Sequence, residues 1–555
     1  MEDYNSIKSY PNKQMEQNES TDRISSLHDE LLGRILSFMP TKYAVATSIL
    51  SPRWKNVYKL ISTLDFDDSL ITSNAPQHHD HFKRFVNGIL QQCKKTYIDK
   101  FKLNCENDNY ENSEIGIWVR AAVMLKVSKF EVTIQKDVHC MLPLPKWFTQ
   151  HLVVLKLDCS FKVRVPKFVK FPNLKVLHLK EVTIEENGTN GLNMVLLGCT
   201  SLEELVIVDT QTQNLPIGLR YEIQFSELMC KNIIVLTLDC SYTLCIPSVV
   251  VFPKLKILFL KGITLKSMPR SLVPLVYYRK QVNDYHTLNG ILSVSPLLEE
   301  LVINGCNWGG GNLYLRNPMM EKLTIEDGLD GPIDQFSNCT VLLNLSKLVY
   351  FNYHVGLAKQ YVIQNLNSVE QAQLEVCFND LDYDDEQDLC DTMLELIEGI
   401  RFCRSLRLSA QCTEALTSGA FELPIFRNLI ELNITLGVHV NWKDVVLDFL
   451  NCSPCLESLT LVQDGMDTEL DGNFLLEAEL VDCVYSKLKF INIRNFQGLE
   501  GETKMLMYFL KNATNLEEMV IHWKSANKPV VFLNIQQNVL SVPYSFCRSI
   551  RKVRT

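Results

Sequence analysis

The sequence carries no surplus of positive charge: Lys plus Arg number 55 against 64 for Asp plus Glu, a net charge of −9. A general nucleic-acid binder draws its affinity from phosphate contacts and needs a basic excess, so that class is disfavoured. No run of eighteen apolar residues occurs, which leaves no candidate membrane-spanning helix. The first twenty residues, MEDYNSIKSYPNKQMEQNES, hold no apolar core of the kind a secretory leader needs. The 18 cysteines are scattered rather than clustered, and without an export signal they read as reduced, mostly buried small apolar residues of a cytosolic or nuclear chain. On that reading Asn187-Gly-Thr and Asn433-Ile-Thr are chance glycosylation matches.

Catalytic constellations are also missing. Cys452-Ser-Pro-Cys455 is a single C-x-x-C without the second pair that zinc wants, and it stands ahead of an apolar strand pattern where small buried residues belong. Asp382, Asp384, Asp385, Glu386 and Asp388 lack the glycine and glutamate of a calcium loop. They precede a helical pattern of Leu389, Met393, Leu396, Ile397 and Ile400, where acidic residues complement the helix dipole. Gly309-Gly310-Gly311 lacks the Lys-Ser/Thr of a phosphate loop. His78, His79 and His81 sit in a polar stretch and read as solvated. The expectation is a non-enzymatic chain with no cofactor and no metal.

What is present begins with 46% hydrophobic and 21% charged residues, enough to fold a long chain around an extended core. The first patterned block, DRISSLHDELLGRILSFMPTKYAVATSILSPRWKNVY, predicts three short helices. Ser26 caps the first, with Asp29 at capping-box spacing. Leu27, Leu31 and Ile35 form one stripe, Leu32, Leu36 and Met39 a second, and Pro40 ends the helix. Thr41 opens the next helix, which carries Val45 and Ile49. Ser51 with Pro52 at the first helical position opens a third, bearing Arg53, Trp54, Val57 and Tyr58. A unit this small cannot bury apolar residues on more than one face by itself. The surplus packs either on the rest of the chain or on another protein.

These residues resemble the F-box, in the form seen in plant F-box proteins with leucine-rich repeats. The likeness runs through Asp22-Arg23-Ile24-Ser25, Asp29-Glu30-Leu31-Leu32, Ile35-Leu36-Ser37, Pro40-Thr41-Lys42, Ala44 to Ser48, Leu50-Ser51 and Arg53-Trp54-Lys55. His28 stands where that family usually has proline. The resemblance implies docking on the Skp-type adaptor of a cullin–RING (SCF) ubiquitin ligase. Leu27, Leu31, Ile35, Leu36, Met39, Pro40, Val45, Leu50 and Trp54 match positions that hold the F-box together or meet the adaptor. The sequence does not sort them between those two jobs.

The remainder is repetitive. Residues 152–183 and 233–264 align without a gap at an offset of 81, with sixteen of thirty-two positions identical. A shorter template, apolar-x-x-apolar-x-apolar, recurs as Leu152-Leu155-Leu157, Leu174-Leu177-Leu179, Leu202-Leu205-Ile207, Ile233-Leu236-Leu238, Leu255-Leu258-Leu260, Leu298-Leu301-Ile303 and Met320-Leu323-Ile325. It returns at Leu429-Leu432-Ile434, Leu456-Leu459-Leu461, Leu488-Ile491-Ile493 and Leu516-Met519-Ile521, and less cleanly at Ile98, Val127 and Cys403. Most of the spacings lie within or near the range of leucine-rich repeats. Each unit predicts a short strand facing the core and a helix or irregular segment returning behind it. The long gaps after Leu260 and Ile325 hold either insertions or worn repeats.

The end of the chain, from Ser486 through Phe509-Leu510-Lys511 to Ile521, resembles the FBD region of the same plant proteins. It reads as two further strands with a helix between, where Met507, Leu510 and Lys511 share a face. The expected order is a disordered tail over 1–21, an F-box over 22–68, a curved repeat solenoid over 98–475, FBD-like repeats over 476–525 and a solvated tail over 526–555 with its basic Arg548, Arg551, Lys552 and Arg554. The fold class is α/β, a three-helix F-box followed by a solenoid with a parallel concave sheet. Period-2 alternation exposes Val206, Val235, Ile257, Phe259 and Val302 on that sheet, an unexpectedly apolar set for a wet face and a candidate target-binding patch. β-propensity alone would also favour such residues there. The functional expectation is a ligase substrate receptor. The alternatives are a small-molecule and protein co-receptor or a scaffold that degrades nothing.

Overall fold

The computed structural model describes residues 24, 26–524 and 549–554, apart from 71–77, 94, 107–109, 136–139, 167, 186–190, 213–220, 246–250, 267–286, 309–310, 328–335, 337–338, 379–385, 438–439, 441 and 464–480. The tail 1–21, Asn187, Gly309, Gly310, Asp382, Asp384, Asp385 and Arg548 therefore lie outside the described residues, as do the side chains of His78 and His79. The chain divides into two units, residues 1–131 and 132–555.

In the first unit, α1 spans Asp29–Leu36 and α2 spans Thr41–Ala46. Tight helical turns follow at Thr47–Ile49 and Trp54–Leu60. The caps differ from the expectation. The residue ahead of α1 is His28, with no side-chain cap, and Asp29 instead pairs with Arg53 at 2.9 Å. Arg53 also donates to the Leu27 carbonyl, so one guanidinium ties the start of α1 to the third helix. Pro40, not Thr41, precedes α2; Thr41 is buried and its hydroxyl accepts from the Asp65 N–H at 2.7 Å. The third helix begins at Trp54 rather than Pro52. A Cβ on Gly33 would stand 2.7 Å from the Leu60 Cβ, so glycine lets α1 lie against that helix.

The unit continues with β1, Thr63–Asp67, paired in parallel with β2, Lys100–Cys105. Ile61, Leu64 and Phe66 are buried at the template spacing, one repeat earlier than the pattern was read. Between and after these strands lie α3, His78–Gln92, and α4, Asn112–Met124, neither of which the periodicity revealed. Trp118 packs edge-on against Phe82 and Tyr110, which meet each other at a tilt, and its indole donates to Asn87 at 2.8 Å.

The second unit is built on a long parallel sheet in which successive repeat strands pair residue for residue. Val154–Asp158 pairs with Val176–Lys180, then Glu204–Val208, Val235–Asp239, Ile257–Lys261, Glu300–Asn304 and Lys322–Glu326 follow. Every repeat template quoted above is buried. The reason is the strand period: its second and third apolar residues fall on one face, where the next repeat covers them.

The two long gaps have different contents. Ile257–Lys261 pairs directly with Glu300–Asn304, so the stretch after Leu260 is an insertion. The stretch after Ile325 hides repeats, with strands Tyr350–His354 and Gln371–Leu374 filling the sheet between Lys322–Glu326 and Ser405–Leu408. Their buried residues are Leu348, Phe351 and Tyr353, then Val369, Ala372 and Leu374. A tyrosine in one and an alanine in the other weaken the apolar signal.

The return path also differs from expectation. Behind the first repeats it makes short parallel strands, Met141–Pro143, Lys162–Arg164, Thr183–Glu185 and Gln211–Thr212 in one sheet. Glu222–Gln224, Thr243–Cys245 and Thr264–Leu265 form a second, and Leu313–Arg316, Thr340–Asn344 and Gln360–Gln364 a third. From Glu386–Gly399 onward helices take over, including Ala410–Thr417, Trp442–Asn451 and Glu500–Asn512. The last of these buries Met505, Leu506 and Phe509, while Met507 and Leu510 are only half-buried. At the end, Ser549–Arg554 pairs in parallel with Glu518–Trp523, so the basic Arg551, Lys552 and Arg554 lie in a strand rather than a solvated tail.

Candidate functional site

Two surfaces stand out, one in each unit. On the F-box helices, Leu32, Leu36, Ala44, Trp54 and Val57 turn inward and form the small core. Leu36 and Trp54, which the sequence left unsorted, therefore hold the fold and offer no face to a partner. Leu27, Met39, Pro40 and Val45 are half-buried. Leu31 and Ile35 remain exposed at 45% and 43%, and Leu50 at 64%. The sequence reading missed Phe38, exposed at 92%, and Ile49, at 85%, together with Tyr43 as binding candidates. Phe38 falls off both helical stripes, and the sequence reads Ile49 only as sharing the second helix with Val45. These six exposed apolar side chains come from one 20-residue stretch of the chain, Leu31 to Leu50.

The second surface is the outward face of the long sheet. Val206, Thr237, Phe259, Val302 and Thr324 occupy one row across adjacent strands. Val235 stands beside Ile257 one pleat away. The five predicted residues thus share one face and adjoin one another, but none is fully exposed; all are half-buried. Their neighbours across the strands shield part of each side chain, which leaves a close-set apolar floor rather than projecting groups. Charges rim it. Lys180 meets Asp158 and Lys261 meets Asp239, both at 3.1 Å, His178 meets Glu204 at 2.6 Å, and Lys322 meets Glu300 at 3.6 Å.

The chemistry of the cysteines fits structure rather than reaction. Most are buried, and burial pushes the Cys306 thiol up to about 11 and the Cys199 thiol up to about 12, far from a reactive thiolate. Cys452 is half-buried and Cys455 exposed, against the expectation that both fill buried slots. Among the described residues no cluster of metal-ligating side chains occurs, and no helix is long and apolar enough to cross a membrane. The buried carboxylates have local jobs: Glu502 Oε2 accepts from the backbone N–H groups of Gln497, Gly498 and Leu499 at 2.7–3.0 Å.

Comparison with known proteins turns this geometry into a family. Residues 24–59 match the F-box domain, and residues 477–521 match the FBD. Residues 115–222 match the repeats described as "FBD-associated F-box protein At5g56370, LRR repeats". The F-box/FBD/LRR-repeat protein At4g26340 of Arabidopsis thaliana is 33% identical over 89% of this chain and 91% of its own length. The chain belongs to the F-box/FBD/LRR-repeat family. The F-box/LRR-repeat protein At3g59200 of the same plant is 25% identical over 94% of this chain and 86% of its own length. The F-box match contains the exposed apolar set from Leu31 to Leu50, and the FBD match covers the helix Glu500–Asn512, the strand before it and most of the strand after it. The FBD strands pair within the same long sheet, so this region continues the repeat array of F-box/FBD/LRR chains.

Proposed function

We propose that this F-box/FBD/LRR protein is the substrate-recognition subunit of an SCF-type ubiquitin ligase, working in the cytosol or nucleus. The F-box helices dock on a Skp-type adaptor, and the outward face of the repeat sheet holds the target. The protein itself is non-catalytic: it raises the effective concentration of target lysines near the conjugating enzyme.

The observation that carries the reading is the apolar set Leu31, Ile35, Phe38, Tyr43, Ile49 and Leu50, exposed within the F-box match. Covering such side chains returns about 1.5–3 kcal/mol each. The sum is on the order of 10 kcal/mol, of which association and ordering consume a comparable part, so single losses are felt. The target half of the reading rests on the half-buried floor of Val206, Val235, Ile257, Phe259 and Val302.

The test is co-purification with a Skp-type adaptor. The double variant Ile49→Asp/Leu50→Asp should lose the adaptor while keeping its circular dichroism spectrum. A folded double variant that retains the adaptor like the wild type removes the ligase assignment.

A further inference from the structure

Beyond the apolar floor, the same sheet face changes character. The row that holds Val206, Phe259 and Val302 continues through Thr324, Asn352, Gln373, Arg407, Asn433 and Thr460. Here the face sinks into a cavity of about 480 Å³ lined by Arg407, Arg494, Asn352, Gln373, Asn433 and Glu375 among others. That volume lies within the range of about 300–1,000 Å³ typical of ligand sites.

Three of the lysines on the face, Lys180, Lys261 and Lys322, each meet a carboxylate on a neighbouring strand. Arg407 and Arg494 have no ion pair or hydrogen bond among the described residues, and neither do the side-chain amides of Gln373 and Asn433. One carboxylate, Glu375, also lines the cavity, with the His354 imidazole 3.6 Å away. Two guanidinium forks and two free amides therefore line one hollow in a chain whose net charge is −9. A guanidinium matches a carboxylate in shape as well as charge, and a hollow concentrates the field of the cations that line it.

We propose that this cavity takes the Asp or Glu side chains of an acidic segment of the target, whose apolar end lies on the Val206–Val302 floor. A segment rather than a free small anion is favoured because polar hollow and apolar floor share one continuous row. Four strand steps separate Val302 from Arg407, roughly 19 Å at about 4.8 Å each, which an extended peptide crosses in about six residues. The partner is thus a short stretch with an apolar end and an acidic end about six residues apart. This rests on the reading that the sheet face holds a target.

The experiment uses the full chain with its adaptor and fluorescein-labelled synthetic peptides read by anisotropy. One peptide carries Leu-Val-Leu and Glu-Asp-Glu at that spacing, and a second has lysines in place of the acids. The acidic peptide should bind at least tenfold tighter than the lysine peptide, with affinity falling as salt rises. Arg407→Glu and Arg494→Glu should each weaken it about tenfold, and Arg407→Gln by less. Absence of peptide binding, equal binding of the lysine peptide, or indifference to both arginine substitutions overturns the proposal. So does citrate that binds alone and displaces the peptide, because the cavity is then a small-anion site. Captured target that is lost from Phe259→Asp/Val302→Asp but kept by Arg407→Glu/Arg494→Glu also overturns it and leaves the receptor standing. Peptide binding that survives when the adaptor is not retained removes the ligase reading alone.

Discussion

Ile35 and Leu36 are consecutive in α1, yet one is exposed and the other buried. A helical step of about 100° separates them, enough to turn one toward Trp54 and Val57 and the other toward solvent. This sorting gives opposite expectations for two substitutions. Trp54→Ala should cost about 3–5 kcal/mol by leaving a cavity in a core too small to refill it. Leu50→Ala should change stability by less than about 0.5 kcal/mol yet weaken adaptor binding. Thermal unfolding and adaptor capture, measured on both variants, check the pair; a stable Trp54→Ala protein would contradict the packing.

Glu502 poses a second question at this scale. Burial raises its carboxyl above the ordinary value of 4.5, outweighing the three backbone donors. The folded chain therefore holds that proton more tightly than the unfolded chain. The resulting linkage favours folding below the ordinary pH range of a carboxylate and is lost as pH rises through the raised value. Glu502→Gln removes the titration. Denaturant midpoints should show the wild type losing ground to Glu502→Gln between acid and neutral pH. A gap that does not move with pH would mean the two states share one pKa.

At the scale of elements, the sequence duplication is reproduced in detail. Strands Val154–Asp158, Lys162–Arg164 and Val176–Lys180 recur 81 residues later as Val235–Asp239, Thr243–Cys245 and Ile257–Lys261. The ion pair Lys180–Asp158 recurs as Lys261–Asp239, and the left-handed turn at Glu181 recurs at Gly262. The short sheets behind the repeats create edges, and an edge strand has backbone groups to satisfy. Asn193 meets that need: its amide donates to the Glu222 carbonyl at 2.7 Å and its oxygen accepts from the Gln224 N–H at 2.9 Å. Asn289 repeats the device with Asn312 O and Tyr314 N. Asn193→Ala should therefore cost about 1–3 kcal/mol, since two part-buried backbone groups lose their partners. Hydrogen exchange at Gln224 would report it; unchanged protection there would show that another group had stepped in.

At the scale of the whole molecule, the two proposed binding surfaces belong to different units. The F-box set lies in residues 1–131 and the sheet face in residues 132–555. Separate units allow separate failure. Phe259→Asp with Val302→Asp should lengthen the half-life of a target in cells while adaptor capture stays normal. Ile49→Asp with Leu50→Asp should lengthen it by losing the adaptor and leave target binding intact. A target whose half-life ignores both doubles would point to a scaffold that degrades nothing.

The sequence by itself determined where the repeat strands lie and which residues they bury, because a strand's period of two forces that choice locally. It also determined that the front of the chain carries more apolar residues than a forty-residue unit can hide. It did not determine the hidden strands at Tyr350–His354 and Gln371–Leu374, whose tyrosine and alanine become core only because neighbouring repeats close over them. Nor did it determine that Leu36 and Trp54 turn inward while Phe38 and Ile49 turn out. That Arg407 and Arg494, 87 residues apart, line one cavity was equally out of its reach. Local pattern says which face of an element is apolar or charged. Only the stacking of distant segments decides what covers that face and which side chains are left to face a partner.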